Sequence, residues 1–252
     1  MVYCTAERSP VVQLAGPLLI GIQFNWGLYG ALLMQIYIYH QSGVPDNIAT
    51  RVITYGLFVV ETAQTILSTH DVWHELALSW GDCTGLIGLN LNWISVPIFT
   101  AFTSSIIQCY YAWRISILSR SRIFPTVVII LALLQFSSGV AEGISVLVLG
   151  SVPDTQAKTF KVQVIWTGST ALCDALIASL MVYYLSRGRT GFKSTDSAIN
   201  KLIRITLETG LCTAILAIIQ LCLFVIFQHN FYHFVPAFTQ SKLYTNSLLV
   251  LL

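Results

Sequence analysis

Apolar residues fall in long runs along this chain, broken by short polar clusters and showing no strict alternation. Seven runs stand out: Pro17–Tyr39, Arg51–His70, Thr84–Ile115, Phe124–Leu149, Val162–Leu185, Leu202–Phe227 and Phe231–Leu252. A helix rises 1.5 Å per residue, so runs of about 20 residues cross about 30 Å of hydrocarbon. A strand would show a period of two, and none does. The breaks carry turn residues: "HQSGVPDN", "SWGDC", "SRSRIFP", "GSVPDTQ", "SRGRTGFKSTD" and "QHN". The pattern predicts an all-α fold, a seven-helix transmembrane bundle forming a single membrane domain over 1–252.

Within the runs, the few polar residues recur at helical spacing. The second run has Thr54, Glu61, Thr65 and Ser68, and the third has Trp93, Thr100, Ser104 and Gln108. The fourth has Gln135, Ser138, Glu142 and Ser145, the fifth Thr167, Thr170 and Asp174, and the seventh Thr239, Lys242 and Asn246. Offsets of three, four and seven place each set on one helix face. Facing lipid such stripes would be costly, so they are expected to converge inside the bundle. Pro97 is expected to kink the third helix.

Composition sharpens this reading. Only 10% of the 252 residues are charged, against about 25% in soluble domains. The mean hydropathy is +0.73. Membrane lipid is the expected surrounding partner, with the protein integral and multi-pass in the plasma membrane or an endomembrane. The net charge is only +2, so no nucleic-acid partner is expected. The cysteines show no CxxC spacing, which excludes zinc ribbons and redox motifs of that type. Cys4 and Cys83 lie outside the runs, as a disulfide or as two free thiols. The N-terminal stretch lacks a cleavable signal-peptide pattern, so the first span is expected to direct targeting itself. The chain closes on apolar residues with no polar tail, which fits a truncated sequence or one that ends abruptly.

Basic residues set an orientation. One set of connections holds Arg51, Arg114, Arg120, Arg122, Arg187, Arg189, Lys193, Lys201 and Arg204, and the other only Arg8, Lys158 and Lys161. The basic side is expected to be cytoplasmic, with the N-terminus outside and the C-terminus inside. Thr195 is expected to cap the sixth helix.

Several stretches carry a resemblance. "RTGFKSTDSAINKL" and "SKLYTNSLL" resemble paired signatures of a basidiomycete fungal family of seven-helix membrane proteins that share a domain of unknown function. "LYGALLMQIYIY" and "CDALIASLMVYYL" are similar to further stretches of it. The resemblance implies a seven-helix bundle and a fungal source, and supplies no activity. In the second span that family tends to show Asp-Thr-x-His followed by a second His. Here the stretch is "ETAQTILSTH", with Glu61, Thr62, Gln64 and His70. Chemistry that needs the first histidine therefore lacks it in this chain.

The candidate site is the set of ionisable residues within the spans. Intramembrane charges are rare and usually face a bundle interior. Glu61, Asp174 and Lys242 sit near mid-depth, with Glu142 toward the outer side and Glu208 toward the inner side. Glu61, Asp174, Lys242, Asn246 and Glu142 form an expected ligand-binding polar cluster, or alternatively a set of polar contacts that only hold helices together. Lys242 is expected to pair with Asp174 ahead of Glu61, Asn246 completing its hydrogen bonds; snorkelling is the rival arrangement. A lysine in the seventh helix also invites comparison with retinal proteins. Phe238 stands where microbial retinal proteins place an aspartate, and the third span has no carboxylate. No cofactor is expected.

A second candidate lies toward the outer ends. His70 and His74, and likewise His229 and His233, are spaced i and i+4, which suits a metal. Asp71, Glu75 and Asp82 could add oxygen ligands, although helix-end anchoring explains the same residues. The expected function is receptor-like or sensor-like, binding a small hydrophobic or amphipathic ligand. The alternatives are a membrane-embedded enzyme acting on a lipid or terpene-like substrate, and a transporter.

Overall fold

The computed structural model describes residues 8–43, 47–79, 91, 93–149, 158–187, 193–227 and 230–251. Among them there are seven helices and no strand. They are α1 Arg8–Ser42, α2 Ile48–Trp73, α3 Phe99–Ser119, α4 Ile123–Leu149, α5 Phe160–Arg187, α6 Lys193–Ile226 and α7 Phe234–Leu251. Each helix of the sequence reading is present, with shifted ends. α6 starts at Lys193 where the apolar run begins at Leu202, α1 starts at Arg8 where its run begins at Pro17, and residues 84–90 of the third run lie outside the described residues. Helical hydrogen bonding does not stop where hydropathy falls, so polar flanking turns extend the rod. Thr195 consequently lies inside the first turn and not ahead of it.

Two helices widen locally. α2 runs on into a π-helical turn, His74–Leu78, and α3 is preceded by another, Ile94–Ile98, that contains Pro97. Proline has no N–H to donate and crowds the preceding turn, which a π-turn relieves. At the other ends, Gly43 closes α1 with φ 58° and Arg120 closes α3 with φ 51°. Left-handed residues of this kind stop a helix, and glycine does so without a Cβ penalty.

The polarity of the bundle is inverted. Large apolar side chains such as Met34, Val52, Ile66, Ile130, Val148 and Ile226 are exposed, while Glu61, Gln64, Gln135 and Lys242 are fully buried. α1, α4, α5 and α6 each contain a stretch long and apolar enough to cross a membrane. Exposed apolar surface of this extent is unfavourable in water and expected in lipid. The chain is accordingly a membrane protein by the length and composition of its helices.

The helices close into a ring in sequence order, and α3 also reaches α5 and α7. α7 is the hub: it packs on α1, α2, α3 and α6. Pro236 to Lys242 are all buried. Two apolar clusters cap the interior. Ile107, Ile115, Met181 and Leu248 belong to one, and Leu18, Val72, Val96 and Phe238 to the other. The polar residues of α2, α3, α5 and α7 lie between these clusters.

Close approach along α4 depends on two glycines. A Cβ at Gly143 on α4 would lie 2.6 Å from the Trp93 carbonyl oxygen, and one at Gly139 would lie 2.6 Å from Ala101 Cβ. The G-x-x-x-G spacing puts both on one face, as in small-residue packing of membrane helices.

Candidate functional site

Lys242 points into the bundle and meets α2. Its ammonium donates to Glu61 Oε2 at 2.5 Å, to the Glu61 carbonyl at 3.1 Å and to Gln64 Oε1 at 3.0 Å. An ammonium has three donors, so all are used. The other Glu61 oxygen accepts from Thr245 at 3.0 Å. Ser241 Oγ lies 2.5 Å from Gln64 Oε1 and 3.2 Å from Glu61 Oε2. Ser241, Lys242 and Thr245 thus bind one turn of α2 from one face of α7. On the same stretch of α2, Thr65 donates to Asn25 at 3.2 Å, and Asn25 donates to the Phe238 carbonyl at 2.8 Å.

The expected pair of Lys242 with Asp174 is not formed. Asp174 accepts from Tyr244 at 2.5 Å and from Gln108 at 3.0 Å. The reason is angular. Residues 242 and 244 are about 200° apart around a helix with 3.6 residues per turn. When Lys242 faces α2, Tyr244 faces α5 and takes the aspartate. Asn246 also behaves differently from expectation. Its amide donates to the Lys242 carbonyl at 2.7 Å and to the Leu28 carbonyl at 3.1 Å, and so ties α7 to α1.

The two carboxylate centres are joined. Gln64 Nε2 donates to Thr100 Oγ1 at 3.3 Å, and Ser104 on the next turn of α3 donates to the Thr100 carbonyl at 2.8 Å. Gln135 on α4 donates to Ser104 at 2.8 Å, and Gln108 donates to Gln135 at 3.2 Å. The chain of bonds therefore runs from Lys242 and Glu61 to Asp174 and Tyr244, through α2, α3, α4, α5 and α7. Five helices share one buried polar network, and each link is worth more here than in water because the surroundings are apolar.

The stretch 170–252 matches a family of unknown function, DUF6534. It covers most of α5 with all of α6 and α7. Asp174, Ser241, Lys242, Tyr244 and Thr245 lie inside it; Glu61, Gln64, Gln108 and Gln135 lie outside. No curated protein matches the chain, and no solved structure does.

Other predicted residues stand apart. Glu142 accepts from Thr159 at 2.9 Å, away from the network. Glu208 is exposed and pairs with Arg204 at 2.7 Å. His70 is beside Asp71, and His233 packs against Phe224 and Phe234. His74 is partly buried in the π-turn after α2. His229, Asp82, Cys4 and Cys83 lie outside the described residues. Among the described residues no group of three or more His, Cys, Asp or Glu is placed to hold a metal. Cys109, Cys173, Cys212 and Cys222 are free thiols.

The carboxylate of Asp71 has a clear task. It accepts from the Leu91 backbone N–H at 3.0 Å and from Ser95 Oγ at 3.2 Å, which fastens the entry of α3 to the end of α2. The residues missed by the sequence reading are Tyr244, Ser241, Thr245 and Asn25. A signal for the first three was present, since "SKLYTNS" places four hydroxyl side chains around a buried lysine.

Proposed function

We propose that this protein is a seven-span receptor-like or sensor-like membrane protein, with its basic connections on the cytoplasmic side. The observation that carries the reading is the latch between α2 and α7: Lys242, Glu61, Gln64, Ser241 and Thr245, all buried. Such a network has high stakes. Fully bonded it fixes one arrangement of the helices, and a single broken partner leaves a buried charge exposed to apolar surroundings. That suits a two-state element, in which a modest shift of α7 changes the state of the whole bundle.

A ligand position adjoins the latch. An apolar groove of about 680 Å³ lies between α1, α6 and α7, lined by Phe24, Leu28, Leu216, Leu223, Tyr232 and Thr239 among others. Small-molecule sites span about 300–1,000 Å³. A small hydrophobic or amphipathic molecule seated there rests on α7 one turn from Lys242. Its apolar body fits the lining, and Tyr232 and Thr239 offer polar anchors. A reaction centre is less well supported, because the bonds of Lys242 and Glu61 are committed to one another.

The test uses the full chain in lipid nanodiscs, screened by thermal unfolding against sterols, fatty acids and terpenoids. A saturable stabilisation by one class, lost in Leu216→Trp, supports the reading. No stabilisation by any class counts against it. A reporter placed after Arg189 should be cytoplasmic, and an external reporter there overturns the orientation.

A further inference from the structure

We propose that the cleft between α3, α5, α6 and α7 is a site for one sodium ion, held by the Asp174 carboxylate together with the side-chain oxygens of Gln108 and Thr206. All three residues line the cleft. It leaves about 20 Å³ open to the centre of a water-sized sphere. On that measure about 10–15 Å³ holds one water, so the space takes a single small guest.

The lining asks for positive charge. The oxygens Gln108 Oε1 and Thr206 Oγ1 are buried and have no partner among the described residues. Gln108 is 1% exposed and Thr206 3%. The amide hydrogens of Gln108 go to Asp174 and Gln135, which leaves its carbonyl oxygen as the free end. Buried acceptors without a donor are costly, so a guest that they can all hold is favoured.

Asp174 also lacks a counter-charge. The ion pairs among the described residues join Lys242 to Glu61, Arg204 to Glu208 and His70 to Asp71. Tyr244, Gln108 and Thr213 hydrogen-bond Asp174 but are neutral. A water molecule would satisfy the free oxygens and leave the carboxylate uncompensated. A monovalent cation does both. The available donors are all oxygen, which suits a hard ion, and one carboxylate matches one positive charge. The narrow space favours sodium over potassium. This inference does not depend on the receptor-like reading, since an ion here would stabilise the bundle whatever its task.

The experiment compares thermal unfolding of the full chain in nanodiscs in sodium, potassium and choline chloride at equal ionic strength and pH. Sodium should raise the unfolding temperature saturably, potassium should do so less, and choline not at all. Asp174→Asn should abolish the difference. Thr206→Val removes one oxygen at nearly constant volume and should raise the half-saturating sodium concentration several-fold, so it keeps the test open if Asp174→Asn does not fold. Identical curves in the three salts would mean that the cleft holds water alone and would overturn the site. So would a sodium response left unchanged by Thr206→Val.

Discussion

Lys242 on α7 donates to Glu61 on α2 at 2.5 Å, and neither side chain has any exposed surface. Desolvating two charges is expensive, and breaking one such pair costs about 3–5 kcal/mol because the remaining charge is stranded. Lys242→Met should therefore lower the unfolding temperature and the folded yield sharply. Replacing both partners, Glu61→Gln with Lys242→Met, should recover much of the loss, since the pair's attraction and its desolvation largely cancel. A double variant no better than Lys242→Met would mean that Glu61 is not what holds the lysine.

Tyr244 and Asp174 provide a second, separable test. The phenol donates to Asp174 Oδ2 at 2.5 Å between α7 and α5. A hydrogen bond to a charged group contributes about 1.5–3 kcal/mol. Tyr244→Phe should cost about that amount and no more, because Gln108 still donates to the other oxygen. Combining it with Asp174→Asn should give less than the sum of the two losses, as contacting residues do. Strict additivity would dissolve the pair.

Much of this architecture was legible in the sequence, and the reason is the solvent. Long apolar runs mark the helices, so helix number and order follow from hydropathy, and four of the seven helices are long and apolar enough to cross a membrane. An ammonium facing lipid is costly, so Lys242 is expected inside, and it is fully buried. The partner of Lys242 was not legible, since it depends on helix rotation. Glu61 and Asp174 lie at similar depth, and depth was all that distances from the span ends could supply. The decisive fact is that 242 and 244 point to opposite sides of α7, which makes Tyr244 the partner of Asp174. Glu142 shows the converse limit: its polar stripe suggested convergence, yet its partner is Thr159, just ahead of α5.

Two glycines offer a paired experiment on packing. Gly143 faces the Trp93 carbonyl so closely that an added Cβ would sit 2.6 Å from that oxygen. The obstacle is backbone and cannot rotate away. Gly143→Ala should cost about 1–3 kcal/mol, the usual range for overpacking. Gly56 on α2 has nothing within 4 Å of its Cβ position. Gly56→Ala should stabilise by about 0.5–1 kcal/mol through helix propensity alone. Equal effects of the two substitutions, read by thermal unfolding, would contradict the close approach of α4 to the segment ahead of α3.

Asp71 supplies the last prediction. One oxygen accepts from the Leu91 N–H and the other from Ser95 Oγ, and the side chain is fully buried. Both bonds cross from the end of α2 to the start of α3, so they fix the relative height of the two helices that carry Gln64 and Thr100. Asp71→Ala removes both acceptors and strands a backbone donor, at a cost of about 1.5–3 kcal/mol. Asp71→Asn keeps one acceptor of the same shape, so it should lose roughly half as much. Ser95→Ala leaves the Leu91 bond in place and should cost about 1 kcal/mol. The expected order in unfolding temperature is wild type, then Ser95→Ala and Asp71→Asn, then Asp71→Ala. If Asp71→Ala unfolds like wild type, this carboxylate does not fasten α3 to α2.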